Sequence, residues 1–93
     1  MALTWKQLRN ELELTSEEEQ IVNTEKELIK TFVKIREEKG VTQSQLADMC
    51  HLTQPVIARM ESATHSPRVE SLLKVLLPLG YTLQIVPMEK LNK

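Results

Sequence analysis

Apolar residues recur at helical spacing along most of this chain and alternate only near its end. Within TSEEEQIVNTEKELIKTFVKIREEKG, residues 15–40, Ile21, Leu28, Phe32 and Ile35 repeat three, four or seven positions apart, joined by Val22, Ile29 and Val33. Thr15 and Ser16 precede Glu17, Glu18 and Glu19, so capping hydroxyls are followed by negative charge at the positive end of the helix dipole. Lys39-Gly40 supplies the stop, because glycine accepts the left-handed conformation past a helix C-terminus. One long helix is favoured, although Asn23-Thr24 with Glu27 following offers a second start inside it. Ahead of this segment, LTWKQLRNEL places Trp5, Leu8 and Leu12 on one face behind Thr4 as a cap with Gln7 three residues on. That pattern predicts a short amphipathic helix.

Two short helices come next. Residues 42–50 turn Leu46 and Ala47 inward, with Met49 or Cys50 completing the stripe, and residues 53–62 offer Val56, Ile57 and Met60. Neither is long enough to stand alone in water, so packing must hold both. Ser66-Pro67 is expected to cap a further helix with proline in its first turn, Val69, Leu72, Leu73, Leu76 and Leu77 forming its buried face. Pro78 and Gly80 end it. The tail YTLQIVPM alternates, with Tyr81, Leu83 and Ile85 on one side and Thr82, Gln84 and Val86 on the other. No other segment carries a strand pattern, so this one is expected to pair outside its own chain, with a second copy or with the sheet of a different protein.

The chain has 93 residues, 41% hydrophobic and 27% charged, which fits one soluble domain at the small end of what folds without staples. Only Trp5, Phe32 and Tyr81 are aromatic, so aliphatic residues must fill the core. A single cysteine, Cys50, excludes an internal disulfide framework and fits a reducing cytosol. The absence of a long apolar run points away from a membrane and toward the cytoplasm. Net charge is −1, divided into −3 over residues 1–30 and +2 over residues 31–93, so charge alone does not decide for or against nucleic acid. Cys50, His51 and His65 lack the number and paired spacing of a zinc site. No catalytic set or phosphate loop stands out, so neither an enzyme nor a cofactor is expected.

Two short helices joined by about three residues suggest a helix-turn-helix. The stretch IREEKGVTQSQLA, DMCHLTQPVIARME, SATHSPRVESLLKVL resembles the Cro/C1-type (Xre-type) helix-turn-helix family, with its R-E-x-x-G-x-T-Q-x-x-L-A run and a second helix ending in Glu. The resemblance covers nearly half the chain. It implies a mainly α, lambda-repressor-like bundle over residues 31–79, preceded by an acidic helical region, 1–30, and followed by a dimerisation strand and tail, 80–93. Two positions depart from the pattern: His51 stands where the turn usually has glycine, and Ala63 replaces a small loop glycine.

The resemblance also implies roles. Arg36 and Glu61 take the places of a buried ion pair joining the first helix to the recognition helix. Gln43, with Ser44 beside it, falls where a DNA phosphate is bonded, and Thr53 where the recognition helix is capped. Gln54 and Arg59 face base edges, suited respectively to adenine and guanine. Pro55 and Val56 suit thymine methyls, while His65 and Ser66 approach a phosphate. The acidic lead-in and the ending LGYTLQIVP resemble antitoxins of the HigA type. One recognition helix alone gives little specificity, so a homodimer on palindromic double-stranded operator DNA is expected, with the alternating tail joining the copies through Tyr81, Leu83 and Ile85. The likeness to HigA-type antitoxins implies a small basic RNase toxin of the HigB/RelE kind as partner. Trp5, Leu8 and Leu12 either dock on that toxin or pack on the protein's own core. A stand-alone repressor and a protein-interaction module that barely binds DNA are the competing readings.

Overall fold

The computed structural model describes residues 15–62 and 64–90. The expected first helix with Trp5, Leu8 and Leu12, and the loop residue Ala63, lie outside them. Four helices make up the described chain: α1 (Thr15–Glu38), α2 (Gln43–Met49), α3 (Gln54–Glu61) and α4 (Val69–Leu76). Short 3-10 turns follow at Leu77–Leu79 and Met88–Lys90. Asn23-Thr24 does not interrupt α1, which also runs without a break through residues 30 and 31. Only its C-terminal half meets the core, where Ile29 and Phe32 are buried and Leu28, Val33 and Ile35 half-buried. Ile21 and Val22, expected on the same buried stripe, are exposed because α1 outruns the three short helices packed on it.

Phe32, Leu46, Ile57 and Val75 are the largest fully buried side chains, and they come from all four helices. Each contributes about 1.5–3 kcal/mol by leaving water, enough to hold helices of seven or eight residues that would not persist alone. Beside them Cys50 completes the stripe of α2, its Sγ donating to the Leu46 carbonyl, while Met49 faces solvent. Burial pushes the Cys50 thiol up, so it behaves as a small packed apolar group.

Three of the four helices stop in the same way. After α1, Gly40 at φ +68° lets Gly40 N–H donate to Glu37 and Val41 N–H donate to Arg36. After the 3-10 extension of α4, Gly80 at φ +88° repeats this with Leu77 and Leu76 as acceptors. After α2 the left-handed position is His51, φ +58°, whose N–H donates to Asp48 while Leu52 N–H donates to Ala47. All are Schellman stops, which satisfy carbonyls that a helix end leaves open. His51 is the one non-glycine residue with positive φ among the described residues.

The last helix differs from expectation. It starts at Val69, not at Ser66-Pro67, because Arg68 takes an extended conformation (φ −82°, ψ 144°) and acts as the N-cap residue. Leu72, Val75, Leu76 and Leu79 form the buried stripe at spacings of three, four and seven. Val69 and Leu77 are 64% and 60% exposed, and Leu73 is half-buried. A run so rich in leucine offers two overlapping stripes, and packing against Phe32 and Ile57 selects one. Residues 81–87 form no strand within this chain. Leu83 packs on the core, Lys39 Nζ lies 5.8 Å from the Tyr81 ring centre, and Met88 Sδ sits 3.9 Å from Gln20 Nε2. The tail therefore runs back along α1.

Arg36, in the last turn of α1, joins these parts. Its Nε and Nη2 donate to the two oxygens of Glu61 at the end of α3, and its Nη1 donates to the Val41 carbonyl at 2.8 Å. Both side chains are about nine-tenths buried, at 10% and 9% exposure. The Glu61 hydrogen bonds, and then its charge, raise the Arg36 pKa above its ordinary value, while burial opposes them. Arg36→Met should lower unfolding free energy in urea by about 3–5 kcal/mol, because Glu61 is left charged and largely buried without its partner. Adding Glu61→Leu to Arg36→Met should recover much of that loss; no recovery would mean the pair is not the cause. His51→Gly should raise stability by about 1 kcal/mol, relieved left-handed strain outweighing the freer unfolded chain. A lower melting temperature for that variant would contradict the strain.

Candidate nucleic-acid interface

The dipeptide Thr-Gln opens both α2 and α3, yet the two starts are built differently. At α2, Thr42 Oγ1 accepts from Gln45 N–H at 3.0 Å and Gln45 Oε1 accepts from Thr42 N–H at 2.8 Å, a complete capping box. That box was readable as Thr followed three residues later by Gln, although the family resemblance drew attention to Gln43 instead. At α3, Thr53 holds the cap position, but its side chain makes no capping bond. Neither N–H that such a cap could use is open to it. A capping side chain bonds the second or third N–H of the helix. Here the second belongs to proline and does not exist, while the third, Val56 N–H, already donates to the Thr53 carbonyl at 3.1 Å. The expected cap is thus corrected to a cap position whose hydroxyl the helix does not use for capping.

The two starts meet. Gln54 Nε2 donates to Gln43 Oε1 at 2.7 Å, and Gln43 Nε2 donates to Glu61 Oε1 at 2.8 Å. Glu61 in turn holds Arg36, so one hydrogen-bonded line runs from the end of α1 to the exposed start of α3. Both ends of this line are marked in the sequence by the family pattern, but the Gln43–Glu61 link is not, since 18 positions separate those residues and no local pattern joins them.

Thr53, Gln54, Pro55, Val56 and Arg59 are all exposed, as is Ser44 on α2, while Gln43 is half-buried. Ile57 turns inward, completely buried, so α3 divides between a core side and an exposed outer side. Val56, expected partly as a core position, is 37% exposed and lies on the outer side with Arg59 three residues on. His65 and Ser66 are elsewhere. They line a cleft with Thr64, Pro67 and the α1 residues Val22, Glu25, Lys26 and Ile29. Among the described residues, no group of His, Cys, Asp and Glu could hold a metal ion. No described helix is long and apolar enough to cross a membrane.

Comparison with known proteins bears on this arrangement. A curated relative from Haemophilus influenzae, described as an uncharacterized HTH-type transcriptional regulator, is 45% identical over 65 residues. The alignment spans 70% of this chain and 66% of that relative. A solved structure titled toxin-antitoxin module from Streptococcus pneumoniae matches with a TM-score of 0.65 at 41% identity, covering 94% of this chain and 96% of that one. The HTH_3 helix-turn-helix family model matches residues 33–86, more than half of the sequence. The chain belongs to the Cro/C1-type helix-turn-helix family, whose members are DNA-binding transcription regulators.

Proposed function

We propose that this protein is the antitoxin of a toxin–antitoxin pair, a dimeric repressor that reads its own operator with α3 and neutralises an mRNA-cleaving toxin by direct binding. The observation that carries the DNA half is the joined start of α2 and α3, where Gln54 stands exposed on a helix tied to the core through Gln43, Glu61 and Arg36. In this reading Gln54 meets adenine and Arg59 guanine in the major groove, and Val56 and Pro55 lie against thymine methyls. The second N–H of Gln43 and the hydroxyls of Ser44 and Thr53 serve phosphate. His65 and Ser66 line a cleft against α1, apart from that start, and remain the weaker phosphate candidates.

The antitoxin half is supported by likeness to the toxin–antitoxin structure over almost the whole chain, well beyond the helix-turn-helix. A small basic RNase of the HigB/RelE kind fits the excess acid of residues 1–30. Dimerisation through the tail is supported by its alternation and by the exposure of Ile85, at 98%, and Tyr81. Leu83 anchors the segment to its own core, which leaves the other two side chains and much of the segment's backbone for a second copy. A stand-alone repressor is the second reading, favoured by the regulator described in Haemophilus influenzae. Co-expression with the product of the adjacent gene, followed by size exclusion, separates the two: a stable stoichiometric complex supports the antitoxin, and no complex supports the repressor.

Gln54→Ala with Arg59→Ala should abolish preference for the protein's own promoter over random duplex, and unchanged affinity would remove α3 as the reading helix. Binding should also weaken steeply between low and physiological salt, by about a hundredfold or more if several phosphates are contacted. Removing residues 81–93 should give monomers by analytical ultracentrifugation and weaken promoter binding severely. A truncated protein that stays dimeric would place the dimer interface elsewhere.

A further inference from the structure

We infer that Lys26, Lys30 and Lys34 of α1 bind the phosphate strand that passes the exit of α3, so that the protein grips both strands of each half-site. The inference rests on α3 as the reading helix, as proposed above. A helix of eight residues is about 12 Å long, close to the width of the major groove. It therefore comes near one phosphate strand at its start and the other at its exit. The start has Gln43, Ser44 and Thr53 for that purpose. The exit, by itself, repels a phosphate. Glu61 and the negative end of the helix dipole lie there, and Arg36 is committed to Glu61. Ser62 Oγ donates its one proton to the Arg59 carbonyl at 2.7 Å. Thr64 is then the donor in the 3.0 Å contact between the two hydroxyls, so neither keeps a proton for phosphate.

α1 supplies the missing charge. Lys26, Lys30 and Lys34 recur about once per turn, about 12 Å from first to last, and all three line a groove that ends at Glu61 and Ser62. All three are exposed. Among the described residues, Lys26 and Lys34 form no salt bridge. Lys30 meets Glu27 at 3.8 Å, with the two side chains 76% and 72% exposed, a contact too weak to hold it from a phosphate. Glu27 and Glu37 share the lining, and the three lysines outnumber them once Glu61 is answered by Arg36. Lys26 also lines the cleft of His65 and Ser66, where Glu25 is the opposing charge. It thus joins those loop residues to the lysine row, and the two phosphate candidates that lay apart from the start of α3 become part of a second contact at its exit.

Lys26→Gln, Lys30→Gln and Lys34→Gln combined test this on a duplex carrying the protein's own promoter. Each phosphate contact contributes about 0.9 to the slope of log affinity against log salt, so the triple variant should flatten that slope by about 2–3. Its preference for the promoter over random duplex should survive, since phosphate contacts carry no sequence information. An unchanged slope overturns the inference, and so does loss of the preference. Lys74→Gln on α4, outside the groove, controls for net charge: a Lys26→Gln effect no larger than its own overturns the contact. Neutral methylphosphonates placed singly should weaken the wild-type complex on both strands of a half-site and the triple variant on one strand only. Sensitivity on both strands in the variant overturns the contact as well. Gln54→Ala with Arg59→Ala keeps the two levels apart. If that pair leaves promoter affinity unchanged, the reading helix falls; if it abolishes the preference while the lysine variant keeps the wild-type slope, only the lysine contact falls.

Discussion

Everything in this structure is referred to the contact between Arg36 and Glu61. The arginine closes α1, where a positive charge suits the negative end of the helix dipole. The glutamate closes α3, where a negative charge does not, and only the guanidinium makes that placement tolerable. The pair is largely hidden from water and forked, so it permits few relative orientations of the two helices. Apolar residues of similar volume would stabilise the fold about as well. What they would not supply is an acceptor, fixed in position, facing Gln43 on α2. The pair is thus less a source of stability than a reference point for the polar groups around it.

The repeated Thr-Gln shows how one dipeptide takes two forms according to its next neighbours in the chain. At α2, Gln45 three residues on closes a capping box that occupies Thr42 fully. At α3, Pro55 removes one of the two N–H groups a cap could use, Val56 N–H donates to the Thr53 carbonyl instead, and Thr53 has no such occupation. A rigid first turn and an uncommitted hydroxyl on the outer face suit a surface meant to meet a ligand. The capped helix is built to stay in place beneath it.

Much of this was legible along the chain. The long helix, its glycine stop and the two short helices derive from periodicity and turn chemistry acting over a few residues, while the left-handed turn at His51 was marked only by the family resemblance. The Arg36–Glu61 pair was legible only through family resemblance, since charge and spacing do not bring residues 36 and 61 together. Local signals failed where two solutions satisfy the same pattern. The run from Val69 to Leu79 offers apolar residues on most of the helix surface, and only the shape of the core picks Leu72, Val75, Leu76 and Leu79. Ile21 and Val22 carry the right period but extend past the helices that would cover them. Alternation marked residues 81–86 as strand-like, yet a strand needs a partner, and among the described residues no segment pairs with this one.

The three stops at Gly40, His51 and Gly80 share one more property. Each closes through hydrogen bonds to carbonyls three and five residues earlier, so a helix and its exit form together from one stretch of chain. Little loop entropy is then at stake when helices dock, and a polypeptide whose corners are made locally searches few wrong topologies. The chain is accordingly of the kind that reaches its native arrangement in microseconds to milliseconds. The strained corner at His51 is the place where that search is least prepared in advance.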